Sequence, residues 1–180
     1  VGRFDQQHVG SLNTREYNEA PRTNNIPFSY RKVDAYRLST TYEKESADSL
    51  ISITPYLRDN RMEIIPSWTV SYDPNRYVTQ NQSFGFLSKV RKDFEPMRAR
   101  LIVGLDYDLS PGSRDEDSIR LTSSTNALGG TSYRINSAVA SAKIYQYDVT
   151  YRSISPYVHG EFSPIDKLRV TGGLRFDDMQ

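Results

Sequence analysis

Two stretches of the chain gather residues suited to capturing a charged or planar ligand. Arg58, Arg61, Trp68, Tyr72, Arg76 and Tyr77 stand in one; Arg114, Arg120, Tyr133 and Arg134 stand in the other. A guanidinium offers a planar fork of donors that matches a carboxylate or phosphate, and aromatic rings stack on planar groups and cations. An anionic ligand with carboxylate, phosphate or planar groups would suit such a set. A blander role suits it too: Tyr and Trp gather at membrane interfaces, and Arg pairs with lipopolysaccharide or neighbouring acids.

Other chemistry fails on spacing. His8 and His159 are the only histidines, and His159 beside Glu161 is too small a set for a metal. Asp106 and Asp108 share one face of an alternating stretch, as paired acid–base carboxylates would. Arginines on neighbouring strands account for them equally well. Asp115-Glu116-Asp117 lacks the glycine-spaced pattern of a calcium loop. Gly129-Gly130 is not followed by the Lys-Ser/Thr of a phosphate loop. The chain has no cysteine, which removes disulfides, thiolate metal sites and a cysteine nucleophile, and suits an oxidising envelope. No catalytic residue, metal site or cofactor is expected, and the chain is read as not an enzyme.

The elements that would position the two clusters show in the period of the hydropathy. Tyr36, Leu38, Thr40 and Tyr42 alternate with Arg37, Ser39, Thr41 and Glu43. Ile51, Ile53, Pro55 and Leu57 alternate with Ser52, Thr54, Tyr56 and Arg58. A period of two places such sets on opposite faces of a strand. Pro55 lacks an N–H, so it predicts a bulge or a break in the ladder. Phe84–Arg91, Leu101–Asp108, Tyr145–Phe162 and Leu168–Asp177 continue the series. The fold class predicted is all-β: an antiparallel meander of about six strands, centred near residues 39, 53, 87, 104, 153 and 172. Residues 1–32 show no period and read as a loop entering it.

Connection lengths alternate as well. Turns at 44–48, 94–97 and 163–167 are short; connections at 60–82 and 110–143 are long. Short turns at one end and long loops at the other are the rhythm of an outer-membrane barrel, while compact soluble domains rarely hold a loop above 30 residues. The face carrying Arg37, Glu43, Lys89, Arg91, Asp106, Asp108, Glu161, Arg169, Arg175 and Asp177 would point inward, where charge needs water or a partner. A wide barrel with a polar lumen supplies both.

Composition agrees. The 180 residues carry 23 Lys and Arg against 22 Asp and Glu, so no basic face for nucleic acid is expected. Hydrophobic residues are only 37%. No apolar run reaches the length of a transmembrane helix, but barrel strands are apolar only at alternate positions. Tyrosine (13, against 7 Phe and 1 Trp) suits side chains with one wet end and one apolar surface.

The stretch Ser155-Pro156-Tyr157, through Glu161-Phe162 and a short turn to Gly173-Leu174-Arg175-Phe176-Asp177, resembles the barrel of TonB-dependent receptors. Ile53-Thr54-Pro55-Tyr56-Leu57-Arg58 and Ser83-Phe84-Gly85-Phe86 resemble it also. The resemblance covers residues 33–178. It implies a fragment (33–180) of a 22-strand transmembrane barrel in the bacterial outer membrane, with the plug domain and TonB-contacting segment elsewhere in a longer chain. The implied function is active uptake of a scarce ligand, in the first place a ferric siderophore. The implied partners are that ligand, the TonB energy-coupling complex and outer-membrane lipid. A passive porin and a soluble β-sandwich binding module remain as alternatives. An upstream plug domain would favour the receptor over the porin.

Overall fold

The computed structural model describes residues 1–137 and 141–180; positions 138–140 of the expected 110–143 connection lie outside the described residues. The chain is all-β with one short α-helix. In order it forms β1 (Gly2–Gln7), α1 (Thr14–Glu19), β2 (Tyr30–Ser39), β3 (Tyr42–Ser46), β4 (Ser49–Ile65), β5 (Asn75–Phe94), β6 (Ala99–Ser118), β7 (Leu121–Thr125), β8 (Thr131–Ile135), β9 (Ala142–Ile165), β10 (Leu168–Arg175) and β11 (Asp178–Met179).

Nine strands make one sheet in the order β1-β2-β4-β5-β6-β9-β10, with β3 also on β4 and β11 also on β9. β7 and β8 form a separate antiparallel hairpin. All six expected strand centres fall within strands, and the long strands follow the meander order. The count exceeds six because two of the expected strands are each split and β1 is added. The sheet does not close: β1 and β10 are its edges among the described residues.

The split between β2 and β3 has a cause. In the β3–β4 register Tyr42 faces Ile53, which sets Thr40 opposite Pro55. Thr40 N–H donates to the Pro55 carbonyl at 3.3 Å, but Pro55 has no N–H to return the bond. The ladder breaks there, as the sequence predicts.

The chain divides into two compact units. The first holds Val1–Ala35, Asn60–Gln80 and Ser113–Asp148; the second holds Tyr36–Asp59, Asn81–Gly112 and Val149–Gln180.

The second unit contains all three short turns. Ser46 pairs with Ser49 and Ile165 with Leu168, so two of the turns are two residues long. The third is a 3-10 turn, Glu95–Met97, closed by Arg98 in the left-handed region (φ 49°). The three are neighbours. Asp93 N–H donates to the Asp48 carbonyl at 2.8 Å, Ser163 N–H donates to the Arg98 carbonyl at 3.0 Å, and Arg98 pairs with Asp166. Pro96 and Pro164 therefore lie at the same end, as the rhythm of connections requires.

Burial in this unit is inverted relative to a soluble domain. Its buried residues are Ser52, Ser83, Ser110 and Ser155, and none is apolar among the described residues. Leu38, Ile51, Ile53, Leu57, Phe84, Val90, Leu101, Val103, Leu105, Val158, Phe162, Val170, Leu174 and Phe176 are exposed. On β6 the alternation is complete: Leu101, Val103 and Leu105 lie open, while Asp106, Asp108 and Ser110 turn to the bonded side.

The first unit holds the apolar core: Ile26, Ile64, Ile65, Val70 and Ile119. Here three expectations are corrected. Residues 1–32, read as loop, contain β1 paired along β2 and the capped helix α1. The connection at 60–82 shrinks to 66–74, because β4 runs to Ile65 and β5 starts at Asn75. Within 110–143, β6 continues to Ser118 and the β7–β8 hairpin follows. One reason applies at 75–82 and at 113–118. Where both faces of a strand carry polar residues, hydropathy loses its period although the backbone ladder continues.

Candidate functional site

In the second unit the polar face of β4, β5, β6, β9 and β10 is one hydrogen-bonded surface. Asp108 accepts from Tyr56 and Ser110, and from Arg58 Nη2 at 2.6 Å. Ser110 Oγ also contacts Ser83 Oγ at 2.8 Å, and Ser83 donates to Asn81 at 3.0 Å. Arg175 donates to Asp106 and to Asp177, both at 2.8 Å. The two aspartates that could be read as an acid–base pair are thus each bound to an arginine.

Two glycines shape this surface. A Cβ at Gly85 would stand 2.6 Å from Tyr56 Oη, and one at Gly104 would stand 2.2 Å from Tyr157 Cζ. Each tyrosine lies across a glycine of a neighbouring strand, the close approach that only a missing side chain permits.

The first unit has a different centre, built on Glu16. Residues Asn13 to Glu16 form a capping box: Glu16 N–H donates to Asn13 Oδ1 at 2.8 Å, and Asn13 N–H donates to Glu16 Oε2 at 2.8 Å. The box starts α1 by satisfying two otherwise unpaired N–H groups. Glu16 is 1% exposed, and its Oε1 accepts from Asn25 Nδ2 at 2.8 Å and Asn126 Nδ2 at 2.6 Å. These bonds from Asn25, the Asn13 backbone and Asn126 hold its carboxyl below the usual carboxylate range. Asn126 also shapes the hairpin turn, accepting from Leu128 N–H at 2.9 Å and Gly130 N–H at 3.0 Å. Glu16 therefore pins the β7–β8 hairpin to the N-terminal segment. Reading residues 1–32 as loop missed this box, although the Asn-x-x-Glu spacing of Asn13 and Glu16 is a signal that could have found it; no spacing announces the long-range amide partners.

Beside this pin lies a cleft of about 450 Å³, bounded by residues 10–13, 16, 25–26, 67, 70–71, 129–131 and 133.

The ten residues singled out in the sequence divide as follows. Arg58 belongs to the second unit and serves Asp108; the other nine belong to the first. Most are not in loops: Arg58 and Arg61 are on β4, Arg76 and Tyr77 on β5, Arg114 on β6, Tyr133 and Arg134 on β8. Arg76 Nε meets Glu63 Oε1 at 3.0 Å, Arg61 lies 4.0 Å from the same carboxylate, and Tyr30 donates to it. Arg114 makes two bonds to Glu116 Oε2, at 3.0 and 2.5 Å, over the Tyr77 ring at 4.4 Å. Trp68, 61% exposed on a 3-10 turn, has the His8 ring 6.2 Å away. Tyr72 and Arg120 are exposed, and Arg134 donates to the carbonyl of Tyr133 at 3.3 Å. Of the ten, Tyr133 alone lines the cleft.

No family model matches the chain, and no curated protein matches it. Among solved structures, the siderophore receptor PiuA from Acinetobacter baumannii aligns with 84% of this chain at 11% identity and a TM-score of 0.47. The chain spans 29% of the length of that receptor. No group of three or more metal-binding side chains occurs among the described residues, and no helix among them is long and apolar enough to cross a membrane.

Proposed function

We propose that this chain is part of the transmembrane β-barrel of an outer-membrane receptor of the TonB-dependent type, that it is not an enzyme, and that the whole protein takes up a scarce ligand, in the first place a ferric siderophore. The observation that carries this reading is the inverted burial of the second unit. Its strands bury serines, half-bury the bonded Asp106 and Asp108, and leave leucines, isoleucines and valines open. Water penalises that arrangement, and a bilayer around a polar lumen favours it. A soluble sandwich would need the apolar face packed on a second sheet, whereas that face is exposed here. The TonB complex, the plug domain and outer-membrane lipid are the partners this reading requires.

The facing assignment is tested in the full-length protein by reversible folding into lipid vesicles. Val103→Arg, on the open face, should cost about 2–4 kcal/mol, the range for a basic side chain at the bilayer midplane. Asp106→Asn, on the lumen face, should cost less. Equal costs would sink the assignment.

Ligand capture belongs, on this reading, to the first unit. Removing residues 113–140 would not test it cleanly, because 113–118 are part of β6. Removing only the hairpin, residues 121–135, should leave the second unit folded and abolish most ligand binding in a titration of the purified receptor. Unchanged affinity would exclude the hairpin from the binding site.

A further inference from the structure

The cleft beside Glu16 carries an inference about the charge of the ligand, which rests on the receptor reading above. Its wall offers the hydroxyls of Ser11, Ser67, Ser71 and Thr131 and the ring of Tyr133. None of the residues lining it is Lys, Arg or His. The one ionised group there is Glu16, whose carboxyl is held on the charged side by its amide donors. Of the arginines singled out in the first unit, Arg61 and Arg76 share Glu63 and Arg114 holds Glu116, and neither Arg120 nor Arg134 lines the cleft. A triply anionic iron chelate entering this cleft would meet a carboxylate of like sign and no cation in its wall. An uncharged chelate bearing amide and hydroxyl groups would meet matching donors and acceptors without charge repulsion.

We propose that the cleft between the N-terminal segment and the β7–β8 hairpin binds an uncharged ferric trihydroxamate and discriminates against anionic tris-catecholates. In the former, three singly charged hydroxamates cancel Fe³⁺; in the latter, three doubly charged catecholates leave a triply negative complex. The cleft's volume of about 450 Å³ lies within the ordinary range for small-ligand sites. Specificity comes from the absence of a cation as much as from the hydroxyls present, since discrimination is a difference between two affinities.

The experiment titrates the purified full-length receptor with ferrichrome, an uncharged trihydroxamate, and with ferric enterobactin, a triply anionic tris-catecholate. Ferrichrome should bind about tenfold or more tightly than ferric enterobactin. Ser71→Tyr, which puts bulk into the cleft from an exposed position, should weaken ferrichrome binding by about tenfold. Ser11→Trp, also at an exposed lining position, gives a second variant with the same expected loss should Ser71→Tyr fold poorly. Equal or tighter binding of ferric enterobactin overturns the proposal and leaves the receptor reading standing. Binding of ferrichrome that neither variant weakens places it outside this cleft and also overturns the proposal. Binding of neither chelate overturns both the proposal and the assignment of iron as the cargo.

Discussion

Gly104→Val is expected to abolish folding of the barrel segment, while Gly160→Ala and Gly172→Ala in the same unit should fold as the parent does. At Gly104 a Cβ would meet Tyr157 Cζ at 2.2 Å and the Ser88 carbonyl oxygen at 2.4 Å. The tyrosine ring could swing away, but the carbonyl belongs to the neighbouring strand and cannot move without spreading the ladder. Overpacking a well-fitted site costs roughly 1–3 kcal/mol, and more when backbone must shift. The two extra methyl groups of valine add to that clash, so the cost should exceed about 3 kcal/mol. Gly85→Ala should behave similarly, with the Tyr107 carbonyl oxygen 2.1 Å from the new Cβ. Gly160 and Gly172 have no atom within 4 Å of a built Cβ, so they control for the loss of glycine as such. The measurement is the folded fraction after refolding into lipid, read by heat-modifiable migration. Normal folding of Gly104→Val would mean that the strands are not packed as described.

The second large effect should come from Glu16. Glu16→Ala strands three donors: the Asn13 N–H, the Asn25 amide and the Asn126 amide. A buried donor left without an acceptor is far costlier than a surface one. The amides of residues 121–135 should exchange with solvent at least about tenfold faster in hydrogen-exchange mass spectrometry, while those of β4 to β6 in the second unit stay unchanged. Gly130→Ala should loosen the hairpin by the opposite route, since its Cβ would stand 1.8 Å from Glu16 Oε1. The pH dependence follows from the lowered carboxyl pKa. Such a group contributes stability that is present above the ordinary carboxylate range and lost as pH falls through the lowered folded value. Acid should therefore release the hairpin in the parent protein, and Glu16→Ala should show little further acid effect. A hairpin equally protected in the parent and in Glu16→Ala would falsify the pinning role.

The strand pattern of the second unit was legible because only one of its two faces is apolar. Leu101, Val103 and Leu105 against Gly104, Asp106 and Asp108 encode both the strand and its facing in eight residues. The same rule failed at 113–118, where both faces are polar and the strand is held by its backbone ladder and by pairs such as Asn75–Glu116. Residue type pointed to Arg58, Arg76 and Arg114 as ligand-capturing groups. The fold places an acid against each one, and no spacing in the sequence announces such partners. Arg58 and Asp108 are 50 positions apart, and Glu16 and Asn126 are 110 apart.

The sequence by itself determined the period-two strands, their order, the short turns and the break at Pro55, because each depends on neighbours within a few residues. Tertiary structure alone decided where charge is spent. It paired Arg58, Arg76 and Arg114 with acids, buried Glu16 among amides, and left a hydroxyl-lined cleft with no cation in its lining. Local periodicity reports which face a side chain occupies; an ion pair or a close glycine approach depends on which strand lies opposite, and pairing register sets that only when the chain folds.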